Sequence, residues 1–333
     1  MTRHATITGV GSSLPPRLVT NDWFESRIDT SDEWIRDRTG IEARHFVDGG
    51  TLTSDLGVQA AETALDTAKV RAEQVNVIIC ATTTGDTPFP ATAVWIQHKL
   101  GASCPAFDVN AACAGFSYAL ATGTALVESG AADAVLVIGA EVFSRILDFS
   151  DRQTCVLFGD GAGAVLVQAT DRPGIVTTKL GADGSAAEIL LVPGGGSREP
   201  ATSQTVASRR HTVHMPNGRE VFKRAVTEMA AACREVLEKS GHTADDVDVL
   251  IPHQANARIM RAVAERLHIP EDKAVLDVAE VGNTSAASIP IALDRAWRAG
   301  RIHEGDLVLF TSFGAGLTWG ATLMTWTMPE PTS

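Results

Sequence analysis

A thiol, an imidazole and a carboxamide mark three points of this chain. Cys113 lies in DVNAACAGFSYAL (108–120), where a short strand-like lead runs into a helix of small and apolar residues. His253 follows Pro252 in IPHQAN, at the end of an apolar strand, where functional side chains of open α/β sheets often lie. Asn283 sits in GNTSAAS, a Gly-led turn that enters a second small-residue helix. Together the three describe a nucleophile for acyl transfer with two donors for an oxyanion. Taken singly, each has a plain structural role open to it: buried filler, a satisfied core histidine, a turn or cap asparagine.

The segment around Cys113 sharpens the chemistry. Between Val109 and Ala132 the only charged residue is Glu128, and a helix apolar on all sides is a buried one. Its first N–H groups, turned inward, favour a thiolate. An ordinary thiol is ionised only to a few per cent at neutral pH. Drawing it toward the anion takes about 2 kcal/mol of preferential stabilisation. A helix terminus and a nearby imidazole are the expected source, so the sequence predicts a thiol more acidic than usual.

Other elements must bring these groups together. Strand-like runs VNVIICATT (75–83), DAVLVIGA (133–140), VDVLIP (247–252) and GDLVLFTS (305–312) alternate with helical stretches. Helix 54–69 is read as opened by the capping residues Thr53 and Ser54, and helix 219–239 as ending at Gly241. This is the pattern of a layered α/β fold. It is also written twice. ALDTAKVRAEQVNVIICATTT (64–84) aligns without a gap on VLEKSGHTADDVDVLIPHQAN (236–256). FDV (107–109) parallels LDV (276–278), and SGAADAVLVIGA (129–140) parallels GRIHEGDLVLFTS (300–312). GDGAGAVLVQA (159–169) parallels GAGLTWGATLMTW (314–326). Two duplicated halves, 1–172 and 173–333, are expected to meet at DRPG. On a pseudo-twofold frame His253 matches Ala81, and Asn283 falls near the counterpart of Cys113. An asymmetric site is thereby expected on a symmetric frame.

Composition narrows the function classes. The 333 residues are 44% hydrophobic, ample for a large core, and a net charge of −12 argues against a general nucleic-acid or anionic-membrane surface. Cys80, Cys104, Cys113, Cys155 and Cys233 are odd in number and form no CxxC pair, so they read as reduced thiols. The start, MTRHATITGVGSSLPP, has no long apolar core, and no run approaches the ~18 apolar residues of a membrane span. A cytoplasmic enzyme is expected. In FGDGAGAVLVQA (158–169) the glycines precede a strand where a dinucleotide fingerprint requires a helix. PGGGS (193–197) lacks the Lys-Ser/Thr of a phosphate loop, and no residues show metal-ligand spacing, so neither cofactor nor metal is expected.

DVNAACAGFSYAL, PHQANAR and GNTSAAS together resemble β-ketoacyl-[acyl-carrier-protein] synthase III, a condensing-enzyme family of the thiolase superfamily. The similarity runs over nearly the whole chain, through ITGVGSSLP (7–15), TSDEWIRDRTGI (30–41), FGDGAGA and FGAGLTWG (313–320). It implies a five-layered αβαβα fold of two duplicated halves, usually a homodimer. It implies Cys113 as acyl-accepting nucleophile toward acyl-CoA, with His253 and Asn283 as partners in decarboxylating malonyl-acyl carrier protein. The resemblance also implies an oxyanion site from the N–H groups of Cys113 and of Phe313, Gly314 and Ala315. Trp34 and Arg152 would sandwich the adenine of coenzyme A by stacking and cation–π attraction. Arg38 would meet a phosphate, Asn256 the pantetheine, and Phe89, in TPFPAT, the partner subunit's acyl pocket.

An acidic carrier protein needs a local basic face. Arg219, Lys223 and Arg224 on one helix, with Arg258, Arg261 and Arg266 on another, are the candidates, although Glu265 departs from the family's basic pattern. Residues 193–218 look longer than usual and read as a flexible loop near the tunnel mouth or dimer surface. The same triad would serve a starter enzyme for a polyketide, a signalling quinolone or a biotin precursor. A non-catalytic partner subunit would commonly lack the nucleophile, and a degradative thiolase would carry a second catalytic cysteine.

Overall fold

A computed structural model describes residues 3–331, so Met1 and Thr2 of the amino-terminal stretch lie outside the described residues. The first half contains β1 (His4–Ser13), β2 (Arg17–Thr20), α1 (Asn21–Glu25), α2 (Asp32–Thr39), β3 (Ala43–Phe46), α3 (Thr53–Ala68), β4 (Val77–Ala81), α4 (Thr92–Leu100), β5 (Ala106–Val109), α5 (Gly115–Glu128), β6 (Ala134–Val142) and β7 (Asp160–Thr170). The second contains β8 (Ile175–Ala182), α6 (Ser203–Ala207), α7 (Gly218–Ser240), β9 (Val249–Pro252), α8 (Ala257–Leu267), α9 (Val278–Val281), α10 (Ser288–Arg298), β10 (Leu307–Gly314) and β11 (Thr318–Thr325).

Two mixed sheets result, ordered β1-β7-β6-β4-β5 and β8-β11-β10-β9, with a small ribbon of β2 and β3 beside them. Within them β4 runs parallel to β5 and β6, and β9 runs parallel to β10. Every residue of β6 and of β10 is buried, as expected where helices cover both faces of a sheet. Side-chain alternation sorts the layers. Ile78, Leu136 and Ile138 face Leu56 and Ala60 of α3 on the outside. Ile79, Val135 and Val137 face inward onto Phe116 and Leu120 of α5, Ile289 and Leu293 of α10, and Val308 and Phe310 of the second sheet. Leu250, Leu309 and Leu323 turn outward onto Met229 and Val236 of α7 and Val263 of α8. The stack is αβαβα. All strands of the first sheet end by Thr170 and those of the second begin at Ile175, but the central layer is one core shared by both.

Two local expectations change. Leu52 is the N-cap of α3, its N–H held by the Asp55 carboxylate at 2.9 Å. Thr53 and Ser54 lie inside the helix and tie it to the loop after β4, through the Thr84 carbonyl and the Asp86 carboxylate. The LDV stretch, read as parallel to β5, makes no strand. Leu250 has only an isolated bridge to Ala274 there, Asp277 pairs with Arg295 at 2.8 Å, and α9 follows. The second sheet is therefore one strand narrower. Among the described residues no helix is long and apolar enough to cross a membrane.

Candidate active site

Cys113 occupies a single 3-10 turn, Ala112–Ala114, between β5 and α5. The turn is held by the opposite half. Thr318 Oγ1 donates to the Ala111 carbonyl at 2.8 Å, and Ser117 Oγ meets Ser312 Oγ at 2.7 Å. A Cβ on Gly314 would stand 2.6 Å from the Cys113 nitrogen, so the end of β10 reaches the turn only because that residue is glycine. The arrangement is reciprocal. The matching turn Ser285–Ala287 precedes α10 and packs on β6, where a Cβ on Gly139 would lie 2.3 Å from the Ala286 carbonyl oxygen. Ala112 and Ser285, at equivalent places, both have positive φ, 47° and 51°.

His253 directly follows β9, with its N–H on the Thr311 carbonyl at 2.7 Å. Its Nδ1 is 2.6 Å from Ser288 Oγ, and that hydroxyl oxygen accepts the Gln254 N–H at 3.3 Å. Where that hydroxyl gives its proton to Nδ1, the ring proton sits on Nε2. Burial lowers the His253 pKa to about 3, so the ring is neutral at physiological pH. It is a donor, not a cation. Asn283 is held by its own backbone, N–H to the Leu157 carbonyl and C=O to the Gly159 N–H, both at 2.9 Å. Its Oδ1 accepts the Ser285 N–H at 2.9 Å, which leaves the amide NH2 available to a ligand.

Cys113, His253, Asn283, Phe313 and Gly314 line one cavity of about 140 Å³. That cavity shares Leu157, Met215, Gly218 and Asn256 with an outer pocket of about 410 Å³ that holds Trp34, Arg38 and Arg152. On its other side Cys113, with Phe158 and Leu190, also borders a pocket of about 520 Å³ formed by Phe143, Ile146, Val213, Ala315 and Gly316. The thiol thus stands between two hollows, one of which continues into the outer pocket.

The thiol is less acidic than the sequence predicts. Burial pushes the Cys113 pKa up to about 12, opposed by Ser285 and reinforced by the Glu141 carboxylate. Enclosure outweighs the helix terminus, and the free protein holds a thiol, not a thiolate. The imidazole cannot help as a cation because burial keeps it neutral.

The remaining expected residues divide. Ser31 Oγ caps α2 by accepting the Trp34 N–H at 3.1 Å. The guanidinium carbons of Arg38 and Arg152 lie 4.8 and 5.0 Å from the Trp34 ring centroid. Arg152 also donates to the Asp29 carbonyl at 2.7 Å, so a ring inserted over Trp34 has to displace it. Asn256 borders both cavities and is also the N-cap of α8, accepting the Arg258 N–H at 2.8 Å and donating to the Arg38 carbonyl at 3.0 Å. Phe89 is 85% exposed and borders none of the cavities above. Lys223 and Arg258 are exposed on α7 and α8. Arg224 is half-buried and committed to Asp183 at 2.7 Å and Glu228 at 3.3 Å, which removes it from a free basic face. Arg261 is likewise paired, with Glu271 at 2.8 Å.

Residues 193–218 are organised by contacts within the segment and with the residues just before it. Leu191 pairs with His214, Arg210 bridges to Glu199 at 2.8 Å, and the stretch includes α6. Val213 and Met215 border the inner cavities, so this segment forms part of their wall. Sequence reasoning passed over Ser285, Ser288 and Glu141. The two serines lay inside the quoted GNTSAAS motif, and Glu141 is the one charge in an otherwise apolar strand.

The duplicated αβαβα stack, with a thiol, a neutral imidazole and a carboxamide gathered at its centre, defines a thiolase-fold condensing enzyme. Residues 107–184 match the family model described as 3-Oxoacyl-[acyl-carrier-protein (ACP)] synthase III, and residues 237–326 match that of its C-terminal part. The chain is 50% identical to a β-ketoacyl-[acyl-carrier-protein] synthase III of Streptomyces coelicolor, over 99% of its own length and 100% of the relative's. It is also 50% identical to one of Erythrobacter litoralis, over 96% and 98%. The crystal structure of the synthase III of Pseudomonas aeruginosa superposes with a TM-score of 0.91 at 41% identity, covering 98% of this chain and 100% of that one. The priming β-ketosynthase of the R1128 polyketide pathway gives 0.91 at 36% identity, over 99% and 98%. The chain belongs to the β-ketoacyl-[acyl-carrier-protein] synthase III family and is an acyltransferase of the condensing type.

Proposed function

We propose that this enzyme condenses an acyl-CoA primer with malonyl-acyl carrier protein, giving β-ketoacyl-acyl carrier protein, carbon dioxide and coenzyme A, the initiating step of fatty-acid synthesis. One observation carries the assignment of roles: the cavity at Cys113 is bordered by a neutral imidazole whose Nδ1 is engaged by Ser288 and an amide whose oxygen is already occupied. Both groups are set to donate. A decarboxylation that leaves its electron pair on a thioester oxygen needs donors and no strong base.

In the first half-reaction the Cys113 sulfur adds to the primer thioester. The N–H groups of Cys113 and of the Phe313–Ala315 strand end hold the tetrahedral oxyanion, coenzyme A leaves, and the thiol proton goes with its sulfur. Malonyl-acyl carrier protein then enters and its carboxylate departs as carbon dioxide. The electron pair forms an enolate whose oxygen is held by His253 Nε2–H and the Asn283 amide. The enolate carbon attacks the acyl-cysteine carbonyl and expels the Cys113 sulfur, which takes up a proton. Both thioesters are substrates, and the cycle as written uses no cofactor.

Trp34, Arg38, Arg152 and Asn256 border the outer pocket and are assigned to coenzyme A. Lys223 and Arg258 are assigned to the acidic carrier protein. The exposed Phe89, with the half-exposed Phe107 on edge strand β5, supports a homodimer in which Phe89 of the partner subunit meets the acyl pocket. A cytoplasmic location goes with this reading.

The direct test is a pulse and chase. Radiolabelled acyl-CoA should leave one acyl group per chain, and malonyl-acyl carrier protein should then release it as β-ketoacyl-carrier protein. A chain that takes up no label, or whose label is not released, is not working by this route. Running the pulse over acetyl, branched and medium-chain primers identifies the primer, because one methylene in an apolar pocket changes affinity by only ~1–3 kcal/mol. Arg258→Glu should raise the KM for malonyl-acyl carrier protein several-fold through like-charge repulsion while leaving acyl-CoA labelling intact. An unchanged KM takes Arg258 off the docking face.

A further inference from the structure

Glu141 takes no part in the steps above, yet it is fully buried near the end of β6, beside the reacting groups. Its carboxylate accepts the N–H groups of Thr83 and Thr84, each at 3.1 Å, and hydroxyls of Thr82, Thr83 and Thr84, all at the end of β4. The remaining partner comes from the other half of the molecule: Ser285 Oγ donates at 3.0 Å. All of these are donors, and none is a cation. A buried carboxyl without a counter-ion is costly to keep, and burial raises its pKa to about 7.

What the carboxylate holds explains its presence. Ser285 is the residue whose N–H fixes the Asn283 Oδ1, and it sits at positive φ on the turn ahead of α10. Counting from Asp133 and Asp306, which precede the paired strands, Glu141 matches Gly314. In one half the strand end carries no side chain and touches the Cys113 turn directly. In the other half the equivalent place carries a carboxylate that reaches the Asn283 turn. Each sheet thus braces the functional turn of the opposite half, and only at the Asn283 turn is a carboxylate part of the brace.

We propose that Glu141 is a positioning residue of the condensation half-reaction: through Ser285 it fixes the Asn283 carboxamide with its N–H groups toward the enolate oxygen. The proposal rests on the assignment of Asn283 to condensation. Acylation does not use that amide, so the two half-reactions separate the effect.

The variants are Glu141→Gln, Ser285→Ala and Asn283→Ala in the full-length enzyme. Each is measured for acyl-CoA labelling and for single-turnover release of label by malonyl-acyl carrier protein. Glu141→Gln keeps the shape but sets an amide NH2 among donors. It should slow release on the order of tenfold to a hundredfold, since one oxyanion donor is misaligned, with labelling not slowed, since the carboxylate it replaces raises the Cys113 pKa. Ser285→Ala, which leaves no misfitted polar group if Glu141→Gln fails to fold, should lose more in release than in labelling, the smaller loss of labelling coming from the hydroxyl that also lowers the Cys113 pKa. Glu141→Gln combined with Asn283→Ala should be no slower than Asn283→Ala alone, because the carboxylate acts through that amide. Equal loss of labelling and release, or a fully additive double variant, overturns the proposal in favour of a general structural role. Impaired release in Asn283→Ala with wild-type release in Glu141→Gln and Ser285→Ala rejects only the link. Wild-type release in Asn283→Ala overturns the assignment of Asn283 itself.

Discussion

Cys113→Ala is expected to take up no label from acyl-CoA, a complete loss of acyl transfer to the protein. Cys80, Cys155 and Cys233 are buried, and Cys104 is half-buried. None of the four borders the cavity that joins the imidazole to the carboxamide, so no second thiol substitutes. The change removes one sulfur from a turn secured by Thr318 and Gly314, and the fold should persist with a melting temperature close to that of the parent. The variant should still decarboxylate malonyl-acyl carrier protein, because the two donors are untouched. Label retained at the parental stoichiometry would place the nucleophile elsewhere and end the assignment.

His253→Ala carries the other large effect, and the sign follows from the protonation state. The ring is neutral, with its pKa lowered to about 3 by burial, and in the proposed mechanism its Nε2–H holds the oxygen that takes the electron pair left when carbon dioxide departs. Loss of one such donor costs about 10²–10³ in rate, so condensation should fall by that factor while labelling of Cys113 is spared. A histidine acting as general base for the thiol predicts the reverse, with labelling lost first. Equal loss of both half-reactions would contradict the division of labour. Above the lowered pKa no protonation of His253 occurs, so the condensation rate should show no acid limb from this ring between about pH 5 and 8, where an ordinary imidazole titrates. An inflection near pH 6.5 that disappears in His253→Ala would show the ring to be cationic after all.

Much of the architecture was legible in the chain. Apolar stretches within 133–140 and 305–312 announce strands covered on both faces, and the strands they form, β6 and β10, are buried throughout. The repeat predicted that matching strand ends would face one another. Asn283 does belong to the element that answers the Cys113 turn, since both turns lead into central helices from residues at positive φ. Repetition also misled. LDV copies FDV in letters, but Asp277 is taken by Arg295 and the edge strand is not formed. Edge strands depend on a neighbour to pair with, a condition that three residues cannot encode.

The charges were the least legible. Arg224 reads as a free cation in sequence, but Asp183, 41 residues earlier in the chain, claims it in space. The acidity of Cys113 was misjudged for a similar reason. A helix terminus is a local feature, readable from neighbours, whereas the solvent withdrawn from the sulfur and the carboxylate of Glu141 come from the assembled halves.

The sequence alone determined which chemical groups are present, the period of each element and the duplication that lets remote segments meet, because these depend on residue type and spacing along the chain. The tertiary structure decided which proton each group holds and what each amide or cation is already bonded to. Those properties belong to the surroundings, which for Cys113 and Asn283 include groups supplied by the other half of the protein.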